Sequence, residues 1–254
     1  MTRAFLFPGQ GAQTIGMGQA LAQDYAAAQA VFDEVDEALG EKLSDLIWTG
    51  SQDDLTLTRN AQPALMATSM AAMAALKSEG VTIEAAAYVA GHSLGEYSAL
   101  CAAGALSLGD TARLLRTRGQ AMQEAVPVGK GAMAALLGLD LATAQKVAKA
   151  AAQGQICTAA NDNDPAQVVV SGHREAVERA KAEGAKRAIL LPVSAPFHCA
   201  LMDPAAEVMA DALSHVDIER PAVPVVGNIT AHAESSPMLL RNHLVDQVTG
   251  AVRW

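Results

Sequence analysis

Ser93 stands between two glycines in Gly91-His92-Ser93-Leu94-Gly95-Glu96, after the apolar run Ala87-Tyr88-Val89-Ala90 and ahead of helix-forming residues through Ala103. Strand, Gly-x-Ser-x-Gly, helix is the setting of a nucleophile elbow. The glycines are expected to let the backbone turn sharply and to keep side chains off the serine oxygen. The helix N-terminus that follows offers free N–H groups to an oxyanion. The competing reading is a loop serine that caps the helix.

A serine nucleophile needs a base, and six histidines are available. His92 adjoins Ser93, but its side chain should diverge at a sharp turn. His173, His215, His232 and His243 lie in helical or polar segments and are expected at the surface. His198 differs: it follows the apolar run Ala188–Val193 within Ser194-Ala195-Pro196-Phe197-His198, where a strand ends. Loops just beyond strand ends are where α/β folds gather reactive groups. No pair of histidines has ligand spacing, so no metal is expected.

Arg118 is the third residue of interest. On a helix expected over Thr111–Glu124 it shares a stripe with Leu114, Leu115 and Met122, whereas Arg113 and Arg116 fall toward the polar side. An inward arginine must meet an anion or strong acceptors, because an unpaired buried charge costs several kcal/mol. The pattern leaves two readings open: an internal salt bridge, or a fork that grips a substrate carboxylate through two parallel hydrogen bonds.

The elements that position these residues alternate. Ala4–Phe7 reads as a buried strand and Pro8-Gly9-Gln10-Gly11 as a turn. A helix is expected from about Gly18 to Leu39, and another from Pro63 to Gly80, ahead of the elbow strand. This alternation predicts a parallel sheet with helices on both faces. From Lys130 the rhythm changes to strand Ala132–Gly138, helix Leu141–Gln153, strands Ile156–Asn161 and Gln167–Ser171, helix Glu175–Ala182 and strand Ala188–Val193. That βαββαβ order is ferredoxin-like. The expected organisation is an α/β-hydrolase-like large domain over 1–128 and 195–254 with an inserted ferredoxin-like subdomain over 129–194.

Of the 254 residues, 51% are hydrophobic, 18% charged and only 4% aromatic, so small aliphatics are expected to fill a generous core. The net charge of −9 argues against nucleic acid as the main partner. Lys181, Lys186 and Arg187 form the best basic patch for an acidic partner, or else a solvated helix end. No targeting signal or membrane span is read. Three cysteines without paired spacing suggest a reducing compartment. The sequon Asn228-Ile229-Thr230 is expected to go unused.

Phe7-Pro8-Gly9-Gln10-Gly11, Gln62-Pro63-Ala64-Leu65, Gly91 through Ser98, Arg118-Gly119, Gly131-Ala132-Met133-Ala134 and Pro196-Phe197-His198 occur in this order. Together they resemble the malonyl-CoA:acyl carrier protein transacylase family, over essentially the whole chain. The resemblance implies an α/β-hydrolase-like domain with a ferredoxin-like one. It assigns Ser93 as nucleophile, His198 as base and Arg118 as the grip on the malonyl carboxylate. Gln10 and the Leu94 N–H match the oxyanion hole, Gln62 and Asn161 the pocket, and Gln247 the position whose carbonyl orients the histidine. Phe197 beside the histidine resembles the malonyl type more than the methylmalonyl type. Lys186 and Arg187 match residues that meet the acidic carrier protein. The implied enzyme belongs to fatty acid synthesis and needs no metal or organic cofactor; a monomer is the default expectation, and the cytoplasm follows from the cysteine usage. It would take malonyl-CoA, a coenzyme A thioester, and acyl carrier protein. The family continues past the position of Trp254. A serine esterase or thioesterase, and a non-catalytic carrier-protein-binding subunit, are the rival readings.

Overall fold

The computed structural model describes residues 2–183, 187–193 and 195–254. In chain order, β1 (Ala4–Phe7) is followed by five helices, α1 (Gln19–Asp24), α2 (Ala26–Leu39), α3 (Leu43–Thr49), α4 (Gln52–Thr56) and α5 (Thr58–Ser78). Strand β2 (Tyr88–Gly91) leads into α6 (Leu94–Ala102), then α7 (Leu108–Glu124). Next come β3 (Gly131–Leu137), α8 (Leu141–Ala152), β4 (Cys157–Asp164), β5 (Gln167–His173), α9 (Arg174–Ala182) and β6 (Arg187–Leu190). The order continues with α10 (Asp203–Ser214), β7 (Val225–Val226), β8 (Ala233–Glu234), α11 (Pro237–Thr249) and β9 (Val252–Arg253).

Two compact units emerge. The first comprises Met1–Gln120, Asp211–Gly227 and His232–Asn242. Its sheet has the order β1-β2-β7-β8. The first three strands are parallel as expected, but β8 runs antiparallel to β7, Val225 facing Glu234, so the sheet is mixed at one edge. Strand β1 is less buried than its apolar sequence suggests. Alternation puts Phe7 inside, whereas Leu6 is 64% exposed. Phe32, Val35, Ile47, Leu55, Met66, Leu94, Tyr97, Leu100 and Leu115 are among the buried residues of this unit. Phe32 meets Trp48 edge to face at 5.0 Å.

Two helices depart from the sequence reading. The segment 19–39 is broken at Tyr25, whose extended backbone (φ −127°, ψ 112°) ends α1 and begins α2. Gly40 then stops α2 in the left-handed conformation, φ 65°. Helix α5 starts at Thr58 rather than at Pro63, which lies inside it. An internal proline cannot donate to the carbonyl four residues back. Here that carbonyl, Arg59 O, accepts from Arg116 Nη1 on α7 at 2.8 Å. The side chain supplies what the ring removes, so the helix continues. Helix α7 itself begins three residues before its expected start, capped by Ser107, whose Oγ accepts the Asp110 N–H at 3.0 Å.

The second unit comprises Ala121–Ala210, Asn228–Ala231 and His243–Trp254. Its sheet has the order β6-β3-β5-β4-β9. Strands β3, β4, β5 and β6 pair antiparallel, and α8 and α9 bury Ala144, Ala148, Val177 and Ala180 against Ala134, Leu136, Val168 and Val170. This is the ferredoxin-like arrangement. It is wider than residues 129–194, because β9 joins β4 in parallel, Asn161 facing Val252. Among the described residues no helix is long and apolar enough to cross a membrane, and all three cysteines are free.

Gly119 offers a test of how α7 seats on α5. A Cβ there would lie 2.6 Å from Thr58 O and 2.7 Å from Arg59 Cα. Ala in place of Gly normally stabilises a helix interior by about 0.5–1 kcal/mol. Gly119→Ala is expected to reverse that sign and destabilise by about 1–3 kcal/mol, the cost of overpacking, measured by urea unfolding.

Candidate active site

Strand β2 lies between β1 and β7, and its C-terminal end opens into the elbow. Ser93 carries the turn itself, with φ 54° and ψ −108°, a conformation that non-glycine residues rarely adopt. The flanking glycines have no left-handed backbone. They serve instead by close approach. A Cβ on Gly91 would sit 1.8 Å from Gly95 O, and one on Gly95 would sit 2.5 Å from Phe7 O. The elbow is thereby pressed against the end of β1, to which His92 N–H donates at Phe7 O, 3.0 Å. Ser93 makes no side-chain cap to α6, so the capping reading is set aside. Leu94, the first residue of α6, presents one of the N–H groups that lie before the helix's own acceptors. Gln10, half-buried in the loop after β1, donates from Nε2 to Thr58 Oγ1 at 3.3 Å.

Arg118 is 1% exposed. Its Nη1 donates to Gln62 Oε1 at 2.8 Å and its Nη2 to Ser93 Oγ at 3.1 Å. Gln62, also 1% exposed, lies one turn beyond Thr58 on α5. The guanidinium carbon sits 5.6 Å from the centroid of the Tyr97 ring, within cation–π range. Burial pulls the Arg118 pKa below the usual arginine range, while Tyr97 and the buried Glu96 oppose that shift. The group keeps its charge, since a guanidinium is not deprotonated in proteins. The sequence left a salt bridge and a ligand fork both open. The structure supplies a neutral amide and a neutral hydroxyl as hydrogen-bond acceptors.

In the second unit His198 is 4% exposed and, like Ser93, left-handed, with φ 58°. Its Nδ1 lies 2.8 Å from Gln247 O. A carbonyl can only accept, so Nδ1 carries the proton and Nε2 is left with a lone pair. Gln247 is in the last turn of α11, where carbonyls lack helical donors. The wholly buried Gln247 side chain donates to Asn228 Oδ1 at 3.4 Å. Gly131, at the start of β3, fits Pro196 so closely that a Cβ would meet its Cγ at 2.3 Å. Cys199 Sγ donates to Pro196 O at 3.2 Å, which closes the turn. Phe197, 8% exposed, donates its N–H to Ala195 O at 3.2 Å.

Other expectations fare unevenly. Asn161 is buried on β4 beside a register shift after Ala159. Arg187 is exposed at the start of β6. Lys186 lies outside the described residues. Lys181 sits 4.0 Å from Glu178 on α9. His215 and His232 are exposed, but His173 and His243 are half-buried; His173 Nδ1 accepts the Ile156 N–H at 3.0 Å. The sequon residue Asn228 is 2% exposed and supports Gln247, which is no setting for a glycan. Sequence reasoning missed Tyr97, Thr58, Asn228 and Arg116. Tyr97 lies within the elbow motif, one turn beyond Ser93, and that spacing was the available signal.

The acyl transferase domain family matches residues 4–254, and the chain belongs to that family. Within it, the similar proteins are malonyl transferases. A malonyl CoA-acyl carrier protein transacylase of Bacillus subtilis is 48% identical over 99% of this chain and 80% of its own length. An acyl-carrier-protein-S-malonyltransferase from Bartonella henselae has a solved structure with TM-score 0.97 and 56% identity, covering 100% of this chain and 82% of that one. A third structure, a holo type II PKS acyl carrier protein in complex with its malonyl-transacylase, matches with TM-score 0.95 and 43% identity over 100% of this chain and 83% of that one.

Burial pushes the Tyr97 phenol up to about 12, with Arg118 pulling the other way. Of the three tyrosines, one is therefore expected to titrate near pH 12 in a native absorbance titration, and Tyr97→Phe should remove it. An unfolded tyrosine ionises near 10. The folded state is thus the one that prefers the proton, and this share of stability is full below about pH 10 and lost as pH rises toward 12.

Proposed function

We propose that this chain transfers a malonyl group from malonyl-CoA to the phosphopantetheine thiol of acyl carrier protein, in fatty acid synthesis, through an ester on Ser93. The observation that carries the reading is a buried guanidinium 3.1 Å from a strained serine oxygen. Membership of the acyl transferase domain family and the names of its similar relatives support the reaction class.

In this proposal His198 Nε2 takes the Ser93 proton as Oγ attacks the thioester carbonyl. The oxyanion forms against the Leu94 N–H and the Gln10 side chain. The tetrahedral intermediate collapses, the C–S bond breaks, and the histidine returns its proton to the departing thiolate. The malonyl carboxylate meanwhile displaces the neutral partners of Arg118. The carrier thiol then enters, loses its proton to His198, attacks the ester, and Ser93 leaves reprotonated. Asn161 and Phe197 are assigned to the pocket wall, Lys186 and Arg187 to the carrier-protein face. No cofactor is needed. The proposed setting is a monomer in the cytoplasm without nucleic-acid or membrane partners.

Mass spectrometry after mixing with malonyl-CoA should find a malonyl adduct on Ser93, absent in Ser93→Ala. Absence of any adduct would favour a binding subunit, and steady release of malonate without a thiol acceptor would favour a hydrolase. Arg118→Ala should weaken malonyl transfer by about 2–5 kcal/mol, the cost of leaving one charge of a pair alone, while acetyl transfer persists. An unchanged malonyl-to-acetyl ratio would refute the role of Arg118.

A further inference from the structure

We infer that Arg116 is a positioning residue for malonyl recognition: by replacing the donor that Pro63 lacks, it fixes the turn of α5 from which Gln62 holds Arg118. The inference rests on the reading of Arg118 above. It explains why two arginines two residues apart on α7 have such different surroundings.

Arg116 is only partly exposed, 19% at the side chain. Its Nη1 donates twice, to Arg59 O at 2.8 Å and to Asn60 Oδ1 at 2.5 Å, and its Nη2 pairs with Glu41. The Arg59 carbonyl would bond to the N–H of residue 63 in an uninterrupted helix, and a proline there cannot supply it. Three residues further along α5, Gln62 Oε1 accepts from Arg118 Nη1. Helices α5 and α7 are therefore tied twice, first by Arg116 at residues 59 and 60, then by Arg118 at residue 62. Gly119 lies between the two arginines on the helical wheel, and its missing Cβ allows the close approach at Thr58 and Arg59 that both ties require.

The two ties are unequal in what substrate binding demands. The Arg118 guanidinium must turn toward an incoming carboxylate and loosen its hold on Gln62. The Arg116 tie faces no ligand in this scheme and keeps the turn in place while that happens. Without it, the carbonyl of Arg59 has no helical partner, and the first turns of α5 are free to shift. Displacements near 1 Å in a positioning shell cost up to a hundredfold in rate.

The test compares Arg116→Met, Pro63→Ala and the double variant in full-length protein, with KM and kcat for malonyl-CoA and for acetyl-CoA, alongside Tm. In Arg116→Met, KM for malonyl-CoA should rise roughly tenfold or more while acetyl transfer changes little. Adding Pro63→Ala restores an N–H for the Arg59 carbonyl, so the double variant should regain most of the malonyl preference. Glu41→Gln, which removes the ion pair but not the carbonyl bond, should leave that preference in place. Should Arg116→Met fail to fold, Arg116→Lys takes its part. One ammonium cannot serve Glu41 and the carbonyl in the same way, so the preference should fall and again be restored by Pro63→Ala. An unchanged malonyl-to-acetyl ratio in a folded Arg116 variant, or a loss that Pro63→Ala does not repair, overturns the inference. Arg118→Ala run alongside separates the two failures: if it too leaves the ratio unchanged, the reading of Arg118 itself is at fault.

Discussion

Keeping a guanidinium ionised in a nearly dry interior is the constraint on which the first unit depends. Removing a cation from water costs several kcal/mol even after relaxation. A hydrogen bond from a charged donor returns about 1.5–3 kcal/mol, and a desolvated cation–π contact returns about 2 kcal/mol. Gln62, Ser93 and Tyr97 together are of the right size to hold Arg118 in place. Amide and hydroxyl are weaker partners for a cation than a carboxylate. The resting arrangement is therefore stable enough to fold and still open to exchange for a better ligand. Gln62, Ser93 and Tyr97 come from α5, the elbow and α6, so placing this one charge ties those segments together.

The second unit solves a simpler problem. An imidazole that is to accept a proton must have its tautomer set, and a serine-based triad uses a carboxylate for this. In the proposed mechanism a main-chain carbonyl at the end of α11, 2.8 Å from His198 Nδ1, takes that place. It can only accept, so it sets the proton on Nδ1, and its helix contributes a partial negative charge rather than a full one. No further ionisable group then has to be buried. The support behind it is an amide pair, Gln247 with Asn228.

The architecture was legible where periodicity and punctuation agree. Strand β1 and the strands and helices of the ferredoxin-like unit fall within a few residues of their expected positions, because alternating apolar residues and flanking Gly, Asp and Asn mark them locally. Pro63 misled because its effect is cancelled by a side chain 53 positions away in the sequence, and no local rule registers Arg116. The break at Tyr25 has no glycine or proline to announce it. Strand β9 is two residues long and exists because β4 offers it an edge. Within the candidate site, Ser93 and His198 stood out from residue type in context and Arg118 as an inward cation, whereas the ligand-gripping role of Arg118 and the places of Gln10, Gln62 and Gln247 came only through family resemblance. Tyr97 and Asn228 were missed because a buried aromatic and a buried amide look like ordinary core and ordinary loop until their partners are in view.

The glycines show most clearly how sequence and mechanism meet. Four non-glycine residues among those described have positive φ, and Ser93 and His198 are two of them. Such conformations cost on the order of 1–3 kcal/mol and persist only where the surroundings over-determine them. Close approaches that only a missing Cβ permits lie beside them: Gly91 on the backbone of Gly95, Gly95 on the backbone at the end of β1, and Gly131 on the ring of Pro196, two residues before His198. None of these three glycines is itself left-handed. Flexibility is thus the wrong account of the Gly-x-Ser-x-Gly pattern here. The glycines are rigid contact points, and the strain they enforce is carried by the neighbouring serine, whose oxygen is turned out of the helix it begins and toward the guanidinium.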